Sequence, residues 1–142
     1  MEQLVLGALV GLARAVDSGV APTEETFRLM VEGLRHPEDE TLLAQAHAHK
    51  AELVPDCMTC ASPCGRTADY DMSELEQAAP ELRDAKQQLV AGLRALVSGP
   101  MDTEIEDFLL EALFRLGYDY EAASLQPFLV RLEDIRRRHT GA

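Results

Sequence analysis

The sequence predicts an all-α fold, a bundle of about six helices built from two similar helical-hairpin halves with a long cysteine-bearing loop between them. Three observations predict it. Apolar residues recur at helical spacing along most of the chain, capping and stop residues bracket those stretches, and a pattern near the start returns after the loop. Residues 1–142 are read as a single helical domain, with 1–54 the first half, 55–72 the cysteine loop and 73–142 the second half. At 46% hydrophobic and 27% charged residues, such a chain can bury a core without a metal or disulfide to keep it folded.

The first helix is expected from about Glu2 to Asp17, because Leu4, Leu6, Ala8, Leu9, Leu12, Ala13 and Val16 make a broad apolar face. Gly7 and Gly11 inside it suggest close approach of a neighbour. Ser18 to Pro22 breaks the pattern, and Thr23 caps a second helix that opens on Glu24 and Glu25 and ends near Arg35. Pro37 suits the first turn of a third helix, whose core face is Leu42, Leu43, Ala46, Leu53 and Val54 before Pro55 stops it. From Pro55 to Met72 no period holds for 18 residues. A structureless stretch of that length is uncommon in a compact domain unless it serves a function.

Order returns at Ser73 and Glu76, a capping-box pair, and a helix follows that is kinked or restarted at Pro80, with Leu82, Ala85, Leu89, Val90, Leu93, Leu96 and Val97 on its apolar face. Ser98-Gly99-Pro100 ends it. Asp102 caps the next helix, which buries Ile105, Phe108, Leu109, Ala112, Leu113 and Leu116 and stops at Gly117. A last helix starts around Ser124, takes Pro127 in its first turn, and runs to Arg136-Arg137-Arg138-His139, cations that suit a helix C-terminus. The two halves echo each other: Gly11-Leu12 to Val16 parallels Gly92-Leu93 to Val97, and Phe27 to Leu34 parallels Glu106 to Leu113.

Charge excludes one class of partner. With 25 acidic residues against 13 basic ones the net charge is −12, so the average surface repels phosphate backbones and anionic lipid. No nucleic-acid or membrane partner is expected. Leu4 to Val16 is too short to span a bilayer, and no positive charge precedes it as in a secretory leader. A cytoplasmic location follows as the expectation, and there clustered thiols serve metal or redox chemistry more often than structural disulfides.

The helical hairpins resemble the helical bundle of the hybrid cluster protein (hydroxylamine reductase) and anaerobic carbon monoxide dehydrogenase families. The resemblance lies in Asp102-Thr103-Glu104-Ile105-Glu106-Asp107-Phe108-Leu109-Leu110-Glu111-Ala112-Leu113, preceded by Gly92-Leu93, and covers about half the chain. It implies a helical scaffold in an iron–sulfur context. In hybrid cluster proteins a four-cysteine motif lies near the N-terminus, and large α/β domains hold the catalytic cluster of the family; this chain has three cysteines in mid-sequence, at a different spacing. Hydroxylamine reduction therefore does not carry over, and any activity of the chain itself would be that of a related oxidoreductase.

All three cysteines fall in Cys57-Met-Thr-Cys60-Ala-Ser-Pro-Cys64. Three thiolates at C-x2-C-x3-C spacing, with Pro63 and Gly65 to turn the backbone, can converge on one soft metal. A [4Fe–4S] cluster with three protein ligands suits them, and zinc is the competitor, although structural zinc takes four protein ligands. His47, His49, Asp56, Asp69 and Asp71 are candidates for the fourth position. His47 and His49 lie two apart on a helix, so at most one points at the site, and each is expected to face solvent. Asp69 and Asp71 suit turn or helix caps. Arg66 suits either a charge partner of a cluster or a surface residue. Glu24, Glu25, Glu32, Glu104, Glu106 and Glu111 read as a solvated acidic face, since the Glu-x-x-His pairs of a di-iron bundle are missing.

The expected function is a metal-binding helical protein, with Cys57, Cys60 and Cys64 holding an iron–sulfur cluster or zinc in an accessory electron-transfer or sensing role. A redox protein or a second copy of the chain is the expected partner. Two alternatives stay open: thiol/disulfide exchange through Cys57-x-x-Cys60, and a partner-binding scaffold with incidental cysteines.

Overall fold

A computed structural model describes residues 2–17, 19–53, 77–118 and 121–139. Among these residues the protein is a helical bundle without strands, as the sequence predicts: α1 (Glu2–Asp17), α2 (Glu24–Arg35), α3 (Glu40–Leu53), α4 (Pro80–Val97), α5 (Thr103–Tyr118) and α6 (Ala122–His139). The chain divides into two compact units, Met1–Met72 and Ser73–Ala142. Three of the helices fall in each.

In the first unit α1 packs on α2 and α3, which also meet each other. The sequence predicts one apolar face for α1, yet Val5, Leu6, Ala8, Leu9, Val10, Leu12, Ala13 and Ala15 are all at most 3% exposed. A helix apolar on every side is an interior helix. Its ends mark the limits: Leu4 is 58% exposed and Val16 is half-buried, so two residues assigned to the core face lie at its edge. Gly7 and Gly11 are both buried. Gly33 of α2 also makes a close approach, where a Cβ would lie 2.9 Å from Leu9 Cδ1.

Local chemistry fixes where α2 begins. Thr23 takes an extended conformation, its Oγ1 accepts the Thr26 N–H at 3.3 Å, and its own N–H donates to Thr26 Oγ1 at 3.1 Å. This is a reciprocal capping box with Thr in the place usually held by Glu or Gln. Glu24 and Glu25 add favourable charge at the same end. For α3 the expected start is two or three residues too early. Pro37 lies in a turn ahead of the helix, and Asp39 is the capping residue, its Oδ1 accepting the Thr41 N–H at 2.8 Å.

In the second unit α4 lies mainly against α6, and α5 touches both. Pro80 is the first residue of α4, where its missing N–H costs nothing. Ser73 and Glu76 lie outside the described residues. Asp102 caps α5 as expected, its Oδ1 accepting the Ile105 N–H at 2.9 Å. Gly117 does not stop α5: it is buried inside the last turn, and among the described residues the one glycine with positive φ is Gly19, at 115°. The helix α6 starts at Ala122, which puts Pro127 beyond the first turn.

Phe108 is fully buried and meets Phe128 of α6 at 6.3 Å between ring centroids. Arg131 lies 5.1 Å over the Phe108 ring and donates to Glu111 at 2.6 Å, so one side chain covers the aromatic contact and ties α6 to α5. At Gly92 of α4 a Cβ would stand 2.0 Å from Leu132 Cδ2. A methyl there would force Leu132 to shift.

Candidate metal centre

Cys57, Cys60 and Cys64 lie outside the described residues, and so do Asp56, Gly65, Arg66, Asp69 and Asp71. What the structure describes is the helix that leads into them. The last turns of α3 carry both candidate histidines, and helical geometry sends them to opposite sides.

His47 is exposed. His49 is only 6% exposed, which corrects the expectation that both face solvent. The reason is tertiary: α3 packs on α2, and the imidazole enters that contact and meets Thr26, a side chain with no exposure at all. His49 Nε2 lies 2.7 Å from Thr26 Oγ1. The hydroxyl is held from a second direction by the capping box of α2, so the imidazole has a fixed partner.

Counting protons assigns the ring nitrogens. Thr26 Oγ1 already accepts the Thr23 N–H, keeps one more lone pair, and lies 3.3 Å from Thr23 Oγ1, to which its own proton can go. With that proton on Thr23 Oγ1, Thr26 Oγ1 accepts the Nε2–H of His49 and Nδ1 carries a lone pair; with it donated to Nε2, Nδ1 carries the proton. Nδ1 is buried and makes no hydrogen bond. Glu52 Oε2 lies 3.8 Å from it, beyond hydrogen-bond distance. The opposite tautomer would bury an N–H donor with nothing to receive it, at a cost of about 1–3 kcal/mol.

Neither family models, curated proteins nor solved structures give a match to this chain. The residues themselves carry the reading. Among the described residues no three His, Cys, Asp or Glu side chains converge as a metal-binding group. The helical carboxylates are occupied at the surface: Glu25 with Arg28, Glu32 with Arg35 and His36, Glu104 with Arg138, and Glu111 with Arg131. Their pairing has a measurable side: the Arg28 guanidinium bonded to Glu25 holds that carboxyl below the usual carboxylate range, and Glu104 raises Arg138 further. The basic end of α6 pairs likewise, Arg137 with Glu133 and Arg138 with Asp134.

Sequence reasoning missed the Thr26–His49 contact and the burial of Lys50 and Lys86, which are 7% and 2% exposed. For Thr26 a signal exists in retrospect. A threonine three residues after a threonine cap puts a second hydroxyl where a long Glu or Gln normally reaches back.

Proposed function

We propose that this chain is a metal-binding helical protein in which Cys57, Cys60 and Cys64 hold an iron–sulfur cluster or zinc, in an accessory electron-transfer or sensing role in the cytoplasm. One observation carries the reading: every cysteine of the chain falls within eight residues, at C-x2-C-x3-C spacing, in an 18-residue stretch without helical period. The resemblance to the hybrid cluster scaffold supports a cluster at these thiolates. A redox protein or a second copy of the chain is the partner such a role requires, and no reaction is assigned to the chain alone.

Purification without oxygen, followed by iron, sulfide and zinc analysis and an absorption spectrum, tests this directly. One equivalent of zinc, or iron with matching sulfide, is expected in the native chain and is lost when all three cysteines become Ser. A native chain that holds none of these removes the proposal. A reversible two-proton mass change confined to the Cys57–Cys60 peptide would then point to dithiol chemistry.

A further inference from the structure

We infer that His49 and Glu52 form a separate two-ligand site for a borderline divalent cation such as zinc, held between His49 Nδ1 and the Glu52 carboxylate with water on its remaining positions. The inference goes beyond the cysteine reading and does not depend on it, because both ligands lie on α3.

Packing leaves one atom unexplained. Buried polar atoms almost always have a hydrogen-bond partner, yet Nδ1 of His49 has none although the side chain is only 6% exposed. Across from it stands Glu52 Oε2 at 3.8 Å, too far for a hydrogen bond. The gap suits an ion. Zinc takes an imidazole nitrogen at about 2.0–2.1 Å and a carboxylate oxygen at about 2.0–2.2 Å, so one ion bridges donors as far apart as about 4 Å. A tetrahedral angle at the ion needs about 3.4 Å between them, a shift of a few tenths of an ångström. Glu52, 78% exposed, is free to make it.

The surroundings of each ligand agree. His49 Nε2 is anchored 2.7 Å from the fully buried Thr26 hydroxyl. Ligating histidines are built this way: the nitrogen away from the metal donates to a fixed acceptor, which sets the tautomer and aims the free lone pair. Glu25, Glu32, Glu104 and Glu111 are each bound to an arginine, whereas the Glu52 carboxylate makes no ion pair or hydrogen bond among the described residues apart from its approach to His49. Three residues apart, the two ligands share one side of α3, and the exposed carboxylate leaves the ion a way in from solvent. Imidazole with carboxylate selects zinc, copper or nickel over magnesium and calcium, which prefer oxygen alone. A net charge of −12 draws cations to the chain.

The test titrates zinc into the full chain with Cys57, Cys60 and Cys64 replaced by Ser, so that thiolates do not compete, and into the unmutated chain beyond what its cysteines hold. A long-range nitrogen–proton correlation spectrum should show His49 Nδ1 shifting at zinc concentrations about tenfold below those that move the exposed His47, since a second ligand on the same helix acts at high effective concentration. Nε2–H should be retained, and chelation should reverse the shift. Glu52→Gln, which keeps the shape and removes the charge, should weaken zinc at His49 by about tenfold, and Thr26→Val by about tenfold to a hundredfold while freeing the ring tautomer. A His49 response no earlier than that of His47, or one unchanged in Glu52→Gln, overturns the inference, as does an equal response to magnesium. The cysteine reading survives each of these results, because it is decided by the metal content of the native chain. If the triple-serine variant does not fold, the unmutated chain decides alone.

Discussion

At the scale of single residues, two side chains on one turn of α2 show how exposure decides worth. Arg28 bonds Glu25 through two nitrogens, and both side chains remain nearly half exposed, at 46% and 45%. The bond holds the Glu25 carboxyl below its ordinary value, so the folded chain gives up that proton more readily than the unfolded chain. The resulting stability is present above the unfolded carboxyl value and is lost as pH falls through the folded one. Screening at such exposure limits it to about 0.3–0.5 kcal/mol. Arg28→Ala should therefore return the Glu25 titration, followed by carboxyl NMR, to the usual range. It should also lower stability slightly near neutral pH, with no difference from the parent chain once Glu25 is protonated. Thr26, one residue along from Glu25, is fully buried and has its hydroxyl bonded to His49 Nε2 and the Thr23 N–H.

At the scale of elements, the two glycine contacts separate a tight fit from a loose one. A methyl at Gly33 would meet both ends of Leu9 at 2.9 and 3.0 Å and its Cγ at 3.3 Å, whereas at Gly92 it would overlap Leu132 at 2.0 Å with the next carbon at 3.1 Å. Alanine gains about 1 kcal/mol in a helix interior over glycine, and overpacking costs about 1–3 kcal/mol. The terms nearly cancel at Gly33 and do not at Gly92. Urea denaturation should find Gly33→Ala close to the parent and Gly92→Ala less stable by about 1 kcal/mol.

The same elements show what the sequence can disclose. Caps are short-range chemistry, and the starts of α2 at Thr23 and α5 at Asp102 are readable from a few adjacent residues. Pro37 falls outside α3 because Asp39, two residues on, competes to cap the same helix and wins with a 2.8 Å bond. Gly117 has the composition of a stop, and its neighbours do not reveal that its backbone stays helical under cover of packing. His49 is the sharpest case: nothing within a turn of it names Thr26 as its partner, since that contact spans 23 residues. The cysteines follow the reverse pattern. Their spacing is plain in the sequence, and they lie outside the described residues.

For the whole molecule the dominant quantity is charge. A net charge of −12 gives the surface a net repulsion near neutral pH that favours solubility, and the sequence isoelectric point of about 4.6 marks where that repulsion vanishes. Turbidity and light scattering against pH should show a solubility minimum near that point, relieved on either side. Among the described residues no helix is long and apolar enough to cross a membrane. Lipid is thus not needed to account for α1, whose apolar surface is consumed inside the fold.

The hydroxyl of Thr26 belongs to two events at once, since it completes the first turn of α2 and holds His49 near the end of α3. The two are therefore coupled in energy: whatever disturbs the cap loosens the partner of the ring, and whatever withdraws the ring takes one bond from the cap hydroxyl, so the start of one helix and a residue 23 positions downstream share a single oxygen.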